Sequence, residues 1–190
     1  GGTLCLRRDD LRCPIALAIF GFEPLIPYYT EGHLCAGGYT ETPEAGARSE
    51  AALDKFPQGS YEAILLAPMA SAGFAPDVVF LYGNPAQVMR LVHAALYKEG
   101  GRLECSTSGR GDCADLIITP LKSQRCHLVL PCHGDRRLAQ VHDHEMAFTL
   151  PADKAGTISD GLAGTHAGGL RYPIRSYMDY EVNFPQKYET

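Results

Sequence analysis

The sequence lacks most of the patterns that announce a function. It has no run of five or more Lys and Arg, and its formal net charge is −5. A face for nucleic-acid phosphates is therefore not expected. The longest apolar runs, IALAIFGF and AILLAPMA, fall far short of the roughly 20 residues that cross a bilayer, so no membrane partner is expected. No CxxC pair is present, and close pairs are the usual mark of zinc and iron–sulfur sites. A metal or cluster would need ligands converging from distant segments. P-loop, GxGxxG, GxSxG and HExxH motifs are all missing, so the common nucleotide, dinucleotide, hydrolase and metalloprotease readings have no support. SGRGDC carries too little of a phosphate-loop pattern, and its RGD tripeptide at 110–112 reads as chance. No signal peptide is visible, and the chain opens GGTL without a Met.

What is present is ordinary for a globular protein. The chain has 190 residues, 45% hydrophobic and 21% charged, and fits a single domain over 1–190 with a substantial core. Seven cysteines are an odd number, and a disulfide-stapled secreted domain would be shorter with an even count. The expectation is a reducing, cytoplasmic setting.

Residues 11–22 read as a helix or buried apolar segment, with Pro14 tolerable in a first turn. Residues 23–42 are loop-like. Thr42 is an N-cap candidate with Pro43 at N1 of a helix. Residues 61–69 and 76–83 read as strands. Asn84 and Pro85 then open the clearest helix, 84–98. Its spacing predicts a buried face of Val88, Leu91, Val92, Ala95 and Leu96, with Arg90 and Lys98 exposed. Strands at 126–132 and 145–151 and a helix ending at Gly168–Gly169 complete the pattern. VVFLYGNPAQVMRLVHAALYKEGGR and EMAFTLPADKAGTISDGLAGTHAGGLR share strand, Pro-containing turn, helix, Gly-Gly and Arg. The expected fold is α+β: one mixed sheet with packed helices, and a possible strand–strand–helix pseudo-repeat. Residues 170–190, rich in Tyr and Pro, read as a surface-wrapping tail.

The cysteines are the first site candidates. Cys13 opens an apolar segment, and Cys113 follows SGRGD. Cys35 precedes AGG, where Gly37 lets backbone approach a ligand closely. Cys132 ends a strand. Each can equally be a small buried hydrophobe. In CHGDRR, Gly134 permits a tight turn, and Arg136 and Arg137 can hold a carboxylate or phosphate, or Arg136 can form an ion pair with Asp135. His142 and His144 alternate and could chelate a metal from one strand face. Strand entry before Glu145 explains them as well.

These segments, from RCPIALA and HLCAGGYTET through PDVVFLYGNPAQ and SGRGDCADLIITP to LPCHGDR and DHEMAFTLP, resemble the uncharacterised archaeal Cys-rich family, a domain of unknown function found in archaea and anaerobic bacteria. The resemblance covers roughly residues 11 to 172. It implies that Cys13, Cys35, Cys113 and Cys132 match recurring cysteine positions. It also implies that the chain is shortened at its start relative to other members. Where many relatives resemble C-x-G-C-R, Asp135 stands in the second cysteine's place. The family name supplies no reaction.

The leading expectation is a protein of anaerobic metabolism holding a metal, an iron–sulfur cluster or zinc, or a redox-active thiol site. Its ligands would be Cys13, Cys35, Cys113 and Cys132, with Arg136, Gly134 and Gly37 around a bound group. The rivals are a non-catalytic module for a small anionic metabolite and an accessory subunit of a larger complex.

Overall fold

The computed structural model describes residues 2–171; the tail reading falls almost wholly outside them. The architecture is α+β, with two small antiparallel sheets. A two-stranded sheet pairs β1 (Leu4–Leu6) with β2 (Ile64–Leu66). A three-stranded sheet has the order β3 (Val78–Gly83), β5 (Met146–Pro151), β4 (His127–Val129). The single mixed sheet of the sequence reading is thus replaced by two antiparallel ones. The segment read as a buried strand over 61–69 is only three paired residues, with Leu65 exposed, and it joins β1 rather than β3.

The pseudo-repeat survives in its strand–helix halves. β3 runs through Asn84 into α4 (Pro85–Leu96), and β5 leads through a short 3₁₀ turn into α6 (Ala155–Ala167). β3 pairs β5 from Val78↔Pro151 to Gly83↔Met146, and α4 lies against α6. Asn84 caps α4 by accepting from the Gln87 N–H at 3.0 Å, and the Gln87 side chain returns the bond to the Asn84 N–H, a reciprocal capping box. Val88 and Ala94 are the most buried residues of α4; Leu91, Val92 and Ala95 are only partly so. Ala94 was missed because the closest helix contact is backbone on backbone. A Cβ on Gly161 of α6 would lie 2.2 Å from the Ala94 carbonyl oxygen. Arg90, expected to be exposed, tucks its Nε inside.

Three elements set up the site. α1 (Pro14–Ile19) is apolar throughout. A π-helical stretch, Ala114–Ile118, runs straight into α5 (Thr119–Ser123). Ile15, Ala16, Ile19 and Phe20 pack with Leu53, Ala114 and Ile118 in one core cluster. Burying this apolar surface, at about 25 cal/mol per Å², holds the two segments together. The π stretch also lies across the three-stranded sheet. Leu116 packs with Val129 and Ala147, and the Thr149 hydroxyl donates to the Leu116 carbonyl at 2.6 Å. The remaining helices are α2 (Pro27–Thr30) and α3 (Pro43–Ala51). Thr42 caps α3, accepting from the Ala45 N–H at 3.3 Å.

Candidate functional site: a cluster of thiols and carboxyls

Cys13 immediately precedes α1, and Cys113 immediately precedes the π stretch. Because those two apolar segments pack on each other, the residues that lead into them meet at the rim of the same core. β4 ends beside the π stretch and delivers Cys132 to the same place. A Cβ built on Gly134 would stand 3.4 Å from Cys132 Sγ and 4.0 Å from Cys13 Sγ, so both sulfurs border the space above Gly134. Gly134 is there for that space and not for its backbone. Its φ and ψ, −63° and −46°, are helical angles open to any residue, which corrects the expectation that it permits a special turn.

Two carboxyls complete the cluster. Asp112 is buried, and its Oδ1 has no hydrogen-bond partner among the described residues. Burial, and then the Asp135 carboxyl beside it, push Asp112 up to about 7; contact with the thiol and backbone N–H of Cys132 pulls the other way. Asp135 Oδ2 accepts a hydrogen bond from the Tyr82 hydroxyl at 3.1 Å. Burial and Asp135 together raise the Tyr82 phenol. Burial also raises the Cys132 thiol, as does Asp112; the backbone N–H groups of Asp135 and Gly111 favour its thiolate. Cys113 is held far above the ordinary thiol range by burial, then by Asp112, Cys13, Asp135 and Cys132. It stays a neutral thiol. A chain of polar groups thus runs Tyr82, Asp135, Asp112, Cys132, with Cys13 bordering the same space as Cys132.

Cys35 stands apart. It is fully buried against Gly46 of α3, and its carbonyl gathers the N–H groups of Gly38, Tyr39 and Thr40. Gly37 adopts φ +78° in that turn, a conformation glycine takes without strain. The turn carries Tyr39 over the cluster, where burial and then Cys132 raise its phenol, with Cys13 and Cys35 adding smaller effects. Arg136 spends its guanidinium locally, donating to the His142 carbonyl at 2.5 Å. The His142 and His144 rings stack 5.5 Å apart, and the His142 N–H donates to Glu145 at 2.9 Å. These groups close the loop ahead of β5.

Sequence reasoning passed over Asp112, Tyr82, Tyr39 and Arg110. The signal for Asp112 lay in SGRGDC, where the RGD tripeptide is buried: Arg110 is 4% and Asp112 3% exposed. Among the described residues, no three of His, Cys, Asp and Glu converge in an arrangement that could hold a metal ion. Two apolar grooves of about 540 Å³ each flank β2 and lie away from this cluster; no cysteine lines either. No helix among the described residues is long and apolar enough to cross a membrane.

Residues 1–161 match the family DUF169, described as uncharacterised ArCR. The chain belongs to that family. Uncharacterized protein MJ0308 of Methanocaldococcus jannaschii is 30% identical over 120 residues, which are 63% of this chain and 51% of that protein. The chain therefore spans about half the length of the curated relative it matches. No solved structure matches. The DUF169 match carries no activity, so the chemistry rests on the cluster itself.

Proposed function

We propose that the cluster is a thiol–disulfide exchange site, with Cys132 as the attacking thiol and Cys13 as its resolving partner. The observation that carries this reading is the pair of sulfurs that border the space above Gly134, with the Asp112 carboxyl against one of them. Asp112 takes the Cys132 proton. The thiolate attacks one sulfur of a low-molecular-weight disulfide RSSR, forming a mixed disulfide; RS⁻ leaves and collects the proton. Cys13 then gives up its proton and attacks Cys132 Sγ, releasing the second RSH. The sum is RSSR plus two protein thiols giving two RSH and a Cys13–Cys132 disulfide. The thiolate is the nucleophile in such exchange, so a base beside Cys132 is the group the reaction needs. Cys113, kept neutral, packs beneath the pair.

Zinc or an iron–sulfur cluster, the other forms of this expectation, would require three or four donors aimed at one centre. The thiols themselves are the better account of this arrangement. A second reading, a module for a small anion, rests on Arg110 rather than Arg136. Arg110 Nη2 is buried and lacks a partner among the described residues, whereas Arg136 already donates to His142.

The test is anaerobic incubation of the full chain with oxidised glutathione, followed by alkylation of remaining thiols and peptide mapping. A Cys13–Cys132 link is expected, with Cys13→Ser leaving a stable glutathione adduct on Cys132. An unreacted Cys132, or metal in stoichiometric amount that protects it, overturns the proposal.

A further inference from the structure

The structure brings Cys105 and Cys126 onto adjoining stretches of chain, and they share no residue with the first pair. The Leu128 N–H of β4 donates to Cys105 Sγ at 3.3 Å. Leu128 is on the strand that forms the outer edge of the three-stranded sheet, paired only with β5. Cys105 thus covers a backbone donor that the sheet leaves unpaired. Cys126 stands two residues before Leu128, so the period of two along an extended chain puts both side chains on one face. That face is the second core cluster. Cys126 is buried in it, and both Leu128 and Leu103, two residues ahead of Cys105, pack against it. Glu104 lies 3.9 Å from Arg125, so the residues just before Cys105 and Cys126 also face each other. These contacts lay the 103–105 segment along the start of β4, with one cysteine on each stretch.

We propose that Cys105 and Cys126 are a site of reversible oxidation, closed into a disulfide by a low-molecular-weight disulfide. The two thiols differ in the way such a pair requires. Cys105 is exposed and free to meet the oxidant, and Cys126 is buried on the adjoining stretch. The Cys105 sulfur accepts the Leu128 N–H, while burial raises the Cys126 thiol, with Lys154 acting against that rise. Cys105 attacks RSSR and releases RSH; Cys126 then attacks the mixed disulfide at Cys105, releases the second RSH and forms the intramolecular bond. The bond ties the 101–109 segment to the sheet. That segment contains Ser108, whose N–H and hydroxyl both bond Asp115, at 3.0 and 2.9 Å, and leads on to Asp112 and Cys113. Oxidation at the sheet edge fixes the chain that carries the cluster's carboxyl.

The test uses the full chain with Cys13→Ser and Cys132→Ser, so that the first site is silent. Native protein in oxidised glutathione is expected to form the 105–126 linked peptide at least ten times faster than the same chain in urea. Its melting temperature should rise by about 5–10 °C, from closing a loop of this size. Cys126→Ser should instead trap glutathione on Cys105. A wild-type pair that accumulates the Cys105 adduct with Cys126 still alkylatable after denaturation overturns the proposal. Linkage no faster in the native protein than in urea overturns it too.

Discussion

The Tyr82 hydroxyl donates to Asp135 Oδ2 at 3.1 Å, joining the end of β3 to the helical turn beyond β4 across 53 positions of chain. Asp135 in turn stands beside Asp112, whose carboxyl is raised to about 7 by burial and then by the Asp135 side chain. Tyr82→Phe removes the donor and leaves the Asp135 side chain to accept more strongly from Asp112, so Asp112 should hold its proton to higher pH. The midpoint of the pH profile for Cys132 alkylation by iodoacetamide should rise by about half a unit. A hydrogen bond to a charged group contributes about 1.5–3 kcal/mol, and Tyr82's partial exposure reduces that. An unmoved midpoint would uncouple Tyr82 from the thiol.

Asp112 makes stability depend on pH in a predictable direction. Its folded value, about 7, lies above its ordinary 3.8. The stability tied to its protonated form is therefore fully present below the unfolded value and is lost as pH rises through the folded one. Asp112→Asn has no such loss. Variant minus wild-type stability in urea should climb between about pH 4 and pH 7, by no more than about 1.4 kcal/mol per unit, and level off above. A flat difference across that window would show that Asp112 is ionised throughout.

These groups show where the sequence was legible and where it was not. Local signals worked: Thr42–Pro43 and Asn84–Pro85 are helix starts in the structure because capping is a contact within four residues. The stretch over 114–123 was missed because Pro120 reads as a breaker. In the structure it falls in the first turn of α5, after a π stretch, where its missing N–H costs little. β1 was missed because three mostly exposed residues carry no period. The cysteines were legible as types, but their grouping was not. Cys13 and Cys113 meet through the packing of two apolar segments about 100 positions apart, and Cys35 differs from them only in being held beneath its own turn.

Gly134→Ala separates space from backbone. The angles suit alanine, and the new methyl would meet Cys132 Sγ and Cys13 Sγ at ordinary contact distances. The variant should fold with a stability change under about 1 kcal/mol and lose about tenfold or more in the rate of Cys13–Cys132 closure, since the methyl fills the space that both sulfurs border. Unchanged closure would mean the sulfurs meet elsewhere.

Gly161→Ala tests the helix pair. The added Cβ would lie 2.2 Å from the Ala94 carbonyl oxygen and 2.7 Å from its Cα, so backbone must move. A loss of about 1–3 kcal/mol is expected, read as a lower urea midpoint at constant m-value. A loss under about 0.5 kcal/mol would show that α4 and α6 are not so close.

The last prediction concerns what holds Asp112 in place. Arg110 Nη1 lies 2.6 Å from Glu50 Oε2, and both side chains are almost wholly buried. Lys55 Nζ stands 3.2 Å from the other Glu50 oxygen. Removing one member of a buried pair leaves an uncompensated charge and costs about 3–5 kcal/mol, whereas replacing both with apolar residues of similar size is often neutral. Glu50→Leu should therefore be strongly destabilising, and Arg110→Met with Glu50→Leu much less so. Lys55 keeps its bonds to the Glu50 and Leu53 carbonyls in either case. Arg110 is two residues from Asp112, and Gly111 between them packs on Leu53 and Ile19. The double variant keeps that apolar seat, so its Cys132 alkylation profile should stay within about half a pH unit of wild type. If the double variant folds but its profile moves further, the Arg110 charge itself tunes the cluster. If it is as unstable as Glu50→Leu alone, the pair stabilises the fold by more than cancelling its own burial.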